Sequence, residues 1–146
     1  MKTNIEVVQG WARQDQESYK GGTIYSTGQV LYSYGRHFPL AIITNEQGVI
    51  YKNSSSYSNT TSKHKSLISN RFECIIELSN ELMKRLDNLE QDQEWGALKV
   101  DCCNEIKERI VALHKKIDRA RSEKKKGAYR SCIEDNLLQL AQMNEM

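Results

Sequence analysis

Residues 23–52 read TIYSTGQVLYSYGRHFPLAIITNEQGVIYK, and how this stretch is parsed decides the fold class. Ile24-Tyr25-Ser26 and Val30-Leu31-Tyr32-Ser33-Tyr34 are runs of β-branched and aromatic residues on either side of a Thr27-Gly28 turn. Side chains of these types fit a pleated, half-buried surface. Leu40 to Thr44 and Val49 to Lys52 repeat the arrangement around Asn45-Glu46-Gln47-Gly48, with glycine where a hairpin turn calls for positive φ. Downstream, Ser54 to Tyr57 extends the pattern as a further edge strand. Upstream, Ile5, Val7 and Val8 suggest a short strand, and Gly21-Gly22 a turn. Three to five short antiparallel strands are expected, a curled meander too small to stand alone.

The pattern changes near Ser62. Apolar residues recur at Phe72, Ile75, Leu82, Leu86 and Leu89, with Ser79 in the series, alternating by three and four as in a helical seam. Glu90 to Gly96 interrupts it. The period resumes at Cys103, Ile106, Ile110, Leu113, Ile117 and Ala120. Two seams joined by a short break predict an antiparallel helical hairpin. Gly127 is expected to end or kink the second helix, and a shorter third helix follows from Tyr129, carrying Ile133, Leu137, Leu140 and Met143. The expected fold is α+β: a small N-terminal antiparallel β-meander packed against a C-terminal helical hairpin plus a short third helix. The β-rich region is set at 1–60 and the helical region at 61–146, together forming one compact unit.

With 146 residues, the chain has the length of one ordinary domain. Its net charge of +2 hides an uneven distribution. Residues 1–72 carry eight basic and four acidic side chains, and residues 73–146 carry thirteen and fifteen. A protein that coats nucleic acid is generally more basic than this. Met1 to Gly10 lacks the apolar run of a signal peptide, and no stretch approaches a membrane-spanning length. The expected location is the cytoplasm, with no membrane partner. Cys74, Cys102, Cys103 and Cys132 show no Cys-x-x-Cys spacing, so reduced thiols are expected, with no metal and no cofactor.

Two segments concentrate chemistry. Tyr32-Ser33-Tyr34-Gly35-Arg36-His37-Phe38-Pro39 sets tyrosines, an arginine and a histidine around a glycine. Tyr57-Ser58-Asn59-Thr60-Thr61-Ser62-Lys63-His64-Lys65 gathers hydroxyls and cations where a long helix is expected to start. A helix N-terminus offers free N–H groups and partial positive charge, so Thr60, Thr61, Ser62, Lys63 and His64 could hold an anion there. Tyr34, Arg36 and His37 would line the same cleft if the meander folds back. Capping alone explains the hydroxyls equally well. Tyr32 and Tyr34 also fit ordinary β packing, and His37, His64 and His114 fit structural roles.

Together these two motifs resemble a small domain found in many bacteriophage-encoded proteins of unknown function. The resemblance covers residues 23–65. It implies a phage origin and a shared polar site, and it implies no reaction.

A basic run follows on the helical pattern: Lys115, Lys116, Arg119, Arg121, Lys124, Lys125, Lys126 and Arg130. It reads either as a solvated helix face or as a set of phosphate contacts, with Tyr129 available to stack a base. Three functions are weighed. The first is a phage-encoded accessory binding protein that engages RNA or DNA, or a bacterial host defence ribonucleoprotein, as an anti-CRISPR type of inhibitor does. The second is a metal-independent phosphodiesterase or RNase with His37 and His64 as general base and acid. The third is a homo-oligomerisation module built on the helical hairpin. The first is preferred, because no nucleotide-binding motif and no acidic cluster points to an enzyme.

Overall fold

Six strands form one sheet in the order β1-β2-β3-β4-β5-β6: Ser18–Lys20 (β1), Ile24–Thr27 (β2), Val30–Ser33 (β3), Pro39–Ile43 (β4), Val49–Asn53 (β5) and Cys74–Leu78 (β6). The computed structural model describes residues 3–14, 18–34, 38–44, 48–55, 68, 72, 74–89 and 92–146. Helices are Asn4–Arg13 (α1), Asn80–Asp87 (α2), Asp92–Arg119 (α3) and Glu123–Glu145 (α4). The chain is α+β. It divides into two compact units, Met1–Leu89 and Glu90–Met146. The division therefore falls some thirty residues beyond the boundary read near residue 60, because β6 and α2 belong with the sheet.

The two hairpins follow the turn chemistry of the sequence. β2 and β3 pair antiparallel across a turn in which Gly28 has φ +56°. β4 and β5 pair likewise, and Gly48 has φ 77°. β1 adds to β2 beyond the Gly21-Gly22 turn, which Gly21 N closes by donating to Ile24 O at 2.8 Å. Ser54 and Ser55 lie outside any strand, so at these two positions the expected further edge strand is absent; residues 56 and 57 lie outside the described residues.

Two segments depart from the sequence-based expectation. Residues 4–13 form a helix and not the strand that Ile5, Val7 and Val8 suggest. A capping box starts it: Thr3 Oγ1 accepts from Glu6 N, and Thr3 N donates to Glu6 Oε1, both at 3.2 Å. Val7, Val8 and Trp11 then share one buried face. The second departure is β6. Cys74–Leu78 pairs parallel with β5, placing Ile75 beside Ile50 and Ile76 beside Tyr51. The three-and-four spacing that runs through Phe72, Ile75 and Leu82 therefore crosses a strand and a helix. Ser79 marks the junction: its Oγ accepts from Leu82 N at 3.4 Å and caps α2.

Both faces of the sheet are covered. β4 and β5 are buried at almost every position rather than alternately, as strands covered on both sides are. On one face Ile24, Leu31, Ala41 and Ile50 join Val7, Val8 and Trp11 of α1 in a single core. Trp11 Nε1 donates to Gln29 O at 3.0 Å, and Asn4 Nδ2 to Thr23 Oγ1 at 3.0 Å, which fix α1 to the β2–β3 hairpin. On the other face Tyr32 donates from its hydroxyl to both carboxylate oxygens of Asp87 in α2, at 3.0 and 2.8 Å. Fully buried Asn53 donates to Pro39 O and Asn80 Oδ1, both at 2.9 Å, and accepts from Ser55 N at 2.8 Å.

The second unit is a two-helix hairpin of α3 and α4. It is antiparallel: Lys99 Nζ donates to Asn144 O at 3.3 Å, Arg109 Nη2 to Gln139 Oε1 at 3.3 Å, and Lys116 lies over Tyr129. A hairpin is what the sequence predicts, but different segments form it. Gly96 lies inside α3 and Gly127 inside α4, so the interruption falls at residues 120–122. The helix expected to be short and third is therefore the long second arm, while the short helix of the chain is α2. Leu98, Cys102, Cys103 and Ile106 on α3, and Ile133, Asn136, Gln139 and Met143 on α4, are its buried residues. All four cysteines are free thiols, and Cys132 is exposed.

Candidate functional site

Of the expected cleft, the structure describes Tyr34 alone. It follows β3 in the left-handed region, φ 64°, is 54% exposed, and donates its N–H to Thr23 O at 2.8 Å. Arg36, His37, Thr60, Thr61, Ser62, Lys63 and His64 lie outside the described residues. The long helix that the 58–65 segment was expected to cap does not run through residues 72–89, because Cys74–Leu78 is a strand and α2 starts afresh at Asn80. The segment 58–65 and the anion site read on it lie outside the described residues.

The basic run is gathered by the structure. Lys115, Lys116 and Arg119 occupy the last turns of α3, Arg121 stands in the three-residue link, and Lys124, Lys125, Lys126 and Arg130 occupy the first two turns of α4. Antiparallel packing brings these ends together at one tip. Residues 114–130 hold eight basic and two acidic side chains, a net +6. Glu123 lies 3.7 Å from Lys126 Nζ, and the other cations of the run form no ion pair among the described residues. Lys116, Arg119, Ala120, Arg121, Ser122, Lys125 and Tyr129 line an open hollow of about 400 Å³. Lys116 Nζ lies 5.8 Å from the centroid of the Tyr129 ring, so one face of that ring carries a cation. The base-stacking role read for Tyr129 is thereby limited to its remaining surface.

Helix electrostatics distinguish the two sides of the tip. The negative end of the α3 macrodipole favours Lys116 and Arg119. The positive end of α4 disfavours Lys124, Lys125 and Lys126, which stand in its first turn. Lys115 with Arg119, and Lys126 with Arg130, are like charges four residues apart on one helix, an arrangement that costs a few tenths of a kcal/mol each. Ser122 is the N-cap of α4, yet its side chain makes no capping hydrogen bond. The sequence shows the charges. Their convergence was hidden by Gly127, which reads as a helix end, whereas the actual start signal is Ser122. Ser122 and Ala120 are the lining residues that the sequence reading missed.

No family model, no curated protein and no solved structure matches this chain. No helix among the described residues is long and apolar enough to cross a membrane.

Proposed function

We propose that this protein binds nucleic acid through phosphate contacts made by the tip of its helical hairpin. One observation carries the proposal. Three lysines crowd the positive end of α4 beside Arg119 and Arg121, an arrangement that lowers the stability of the free hairpin. A solvated surface gains nothing from that arrangement, whereas a polyanion relieves it. The contacts are electrostatic, so binding is largely independent of sequence. The wider form of the proposal is a phage accessory role in which the tip takes hold of the nucleic acid of a host defence complex. The resemblance of residues 23–65 to the phage domain supports that wider form.

The test is fluorescence anisotropy with labelled single-stranded RNA and with duplex DNA of mixed sequence, across a salt series. Affinity should fall roughly threefold per neutralised phosphate between about 50 and 200 mM salt. Arg119→Glu with Arg121→Glu should reduce both the affinity at low salt and the steepness of its salt dependence. Absence of binding at low salt, or binding that this double variant leaves unchanged, defeats the proposal. Which probe binds more tightly separates a single-stranded ligand from a duplex.

A further inference from the structure

The second arm of the hairpin carries its side chains the unusual way round. Asn136 and Gln139 are 7% and 1% exposed, while Leu137 and Leu138 between them are 49% and 68% exposed. Two polar groups share the buried side with Ile133 and Met143, while two large apolar side chains face out. The helical period extends that outer face. Arg130, Glu134, Leu137, Leu138, Ala141 and Glu145 recur at three- and four-residue steps (Leu137 and Leu138 being adjacent), and all six are exposed. The leucines form the centre of the strip, a cation stands at one end and an anion at the other.

We propose that this strip is the interface of a homodimer, in which α4 packs antiparallel on α4 of a second copy about a two-fold axis between Leu137 and Leu138. A two-fold interface joins a patch to itself, so the patch must complement its own reversed image. This strip does. Leu137 of one copy meets Leu138 of the other, Glu134 meets Ala141, and Arg130 meets Glu145. The parallel alternative sets Arg130 against Arg130, Glu134 against Glu134 and Glu145 against Glu145, which like-charge repulsion disfavours. Antiparallel helix dipoles favour the same choice. At a rise of 1.5 Å per residue, the dimer sets its two basic tips about 40 Å apart, at opposite ends of the assembly. A long polyanion can then engage both tips, with the gain in avidity that two linked sites give.

Sedimentation equilibrium of the full chain without nucleic acid tests the proposal, and it is independent of whether the tip binds phosphate. The wild-type chain should sediment as a dimer. Leu137→Glu with Leu138→Glu should weaken dimerisation by roughly a hundredfold or more, since each dimer loses four buried leucines. Circular dichroism should show that this variant keeps the wild-type helical content. Arg130→Glu should weaken the dimer by roughly tenfold, and combining it with Glu145→Arg should restore it, because the swapped pair meets across the two-fold axis. A wild-type monomer at all accessible concentrations overturns the proposal and leaves the face to another partner or to solvent. A dimer indifferent to the leucine substitutions overturns it too. A dimer that the charge swap fails to restore overturns the antiparallel register.

Discussion

Asn53 and Asn136 are both buried, one in each unit, and their surroundings differ. Asn53 uses its amide fully: two donated bonds and one accepted bond tie β4, β5 and the start of α2 together. Asn136 donates to Cys132 O one helical turn back at 2.8 Å, while its Oδ1 is buried with no hydrogen-bond partner among the described residues. Arg109 Nε in the same hairpin is buried and without a partner in the same sense. In the first unit, then, the buried amide of Asn53 joins elements that are distant in sequence. In the second the buried polar groups sit between two helices beside Leu98, Ile106, Ile133 and Met143, while Leu137 and Leu138 face outward and the cations crowd one end. The first unit is organised for its own stability. The second gives up stability at the seam and at the tip, which is where binding surfaces are expected.

The same substitution in the two units should therefore have opposite signs. Asn53→Leu removes three hydrogen bonds and takes from Pro39 O, Ser55 N and Asn80 Oδ1 the partner that Asn53 supplies. The expected loss is about 3 kcal/mol, read by urea denaturation of the full chain. Asn136→Leu replaces a poorly satisfied amide with an apolar side chain on the helix face that already holds Ile133 and Met143. The expected change is a gain of about 1 kcal/mol in the transition that reports the hairpin. If both variants lose stability by similar amounts, the contrast between the units is wrong, and the seam of the hairpin is as well satisfied as the sheet.

The same contrast explains what the sequence could show. The two hairpins were legible because their determinants are local: Gly28 and Gly48 mark the turns, and β-branched and aromatic residues flank them. β6 was not, because its partner β5 lies some twenty residues earlier in the chain, and parallel pairing leaves no turn signature. Its Ile75 and Ile76 are β-branched and suit a strand, but the spacing from Ile75 to Leu82 matches a helix by coincidence. α1 was misread for a related reason: Val7 and Val8 favour strands in isolation, while the Thr3-x-x-Glu6 box that overrides them is a two-residue signal. The charges of the tip were visible in the sequence. Their convergence needed the interruption placed at residues 120–122, and glycine pulled the reading to residue 127.

The smallest expected effect separates a binding surface from a solvated one most sharply. Three described helices of this protein begin on a hydroxyl residue, Thr3, Ser79 and Ser122. At α1 the third helical position is Glu6, and Thr3 and Glu6 complete the reciprocal capping box. At α4 the N-cap is Ser122, the third helical position is Lys125, and no side-chain cap forms. Glutamate there would complete the same box and would suit the positive end of the helix. Lys125→Glu should therefore stabilise the hairpin by about 0.5 kcal/mol, measured as a rise in the midpoint of thermal unfolding. The same variant should bind RNA or DNA more weakly, because Lys125 lines the hollow between Arg119, Arg121 and Tyr129. A residue that weakens its own helix and strengthens a contact is held in place by the contact. A variant that becomes more stable yet binds as well as the wild type would show that Lys125 makes no contact with the nucleic acid, and the tip would then be a solvated helix end.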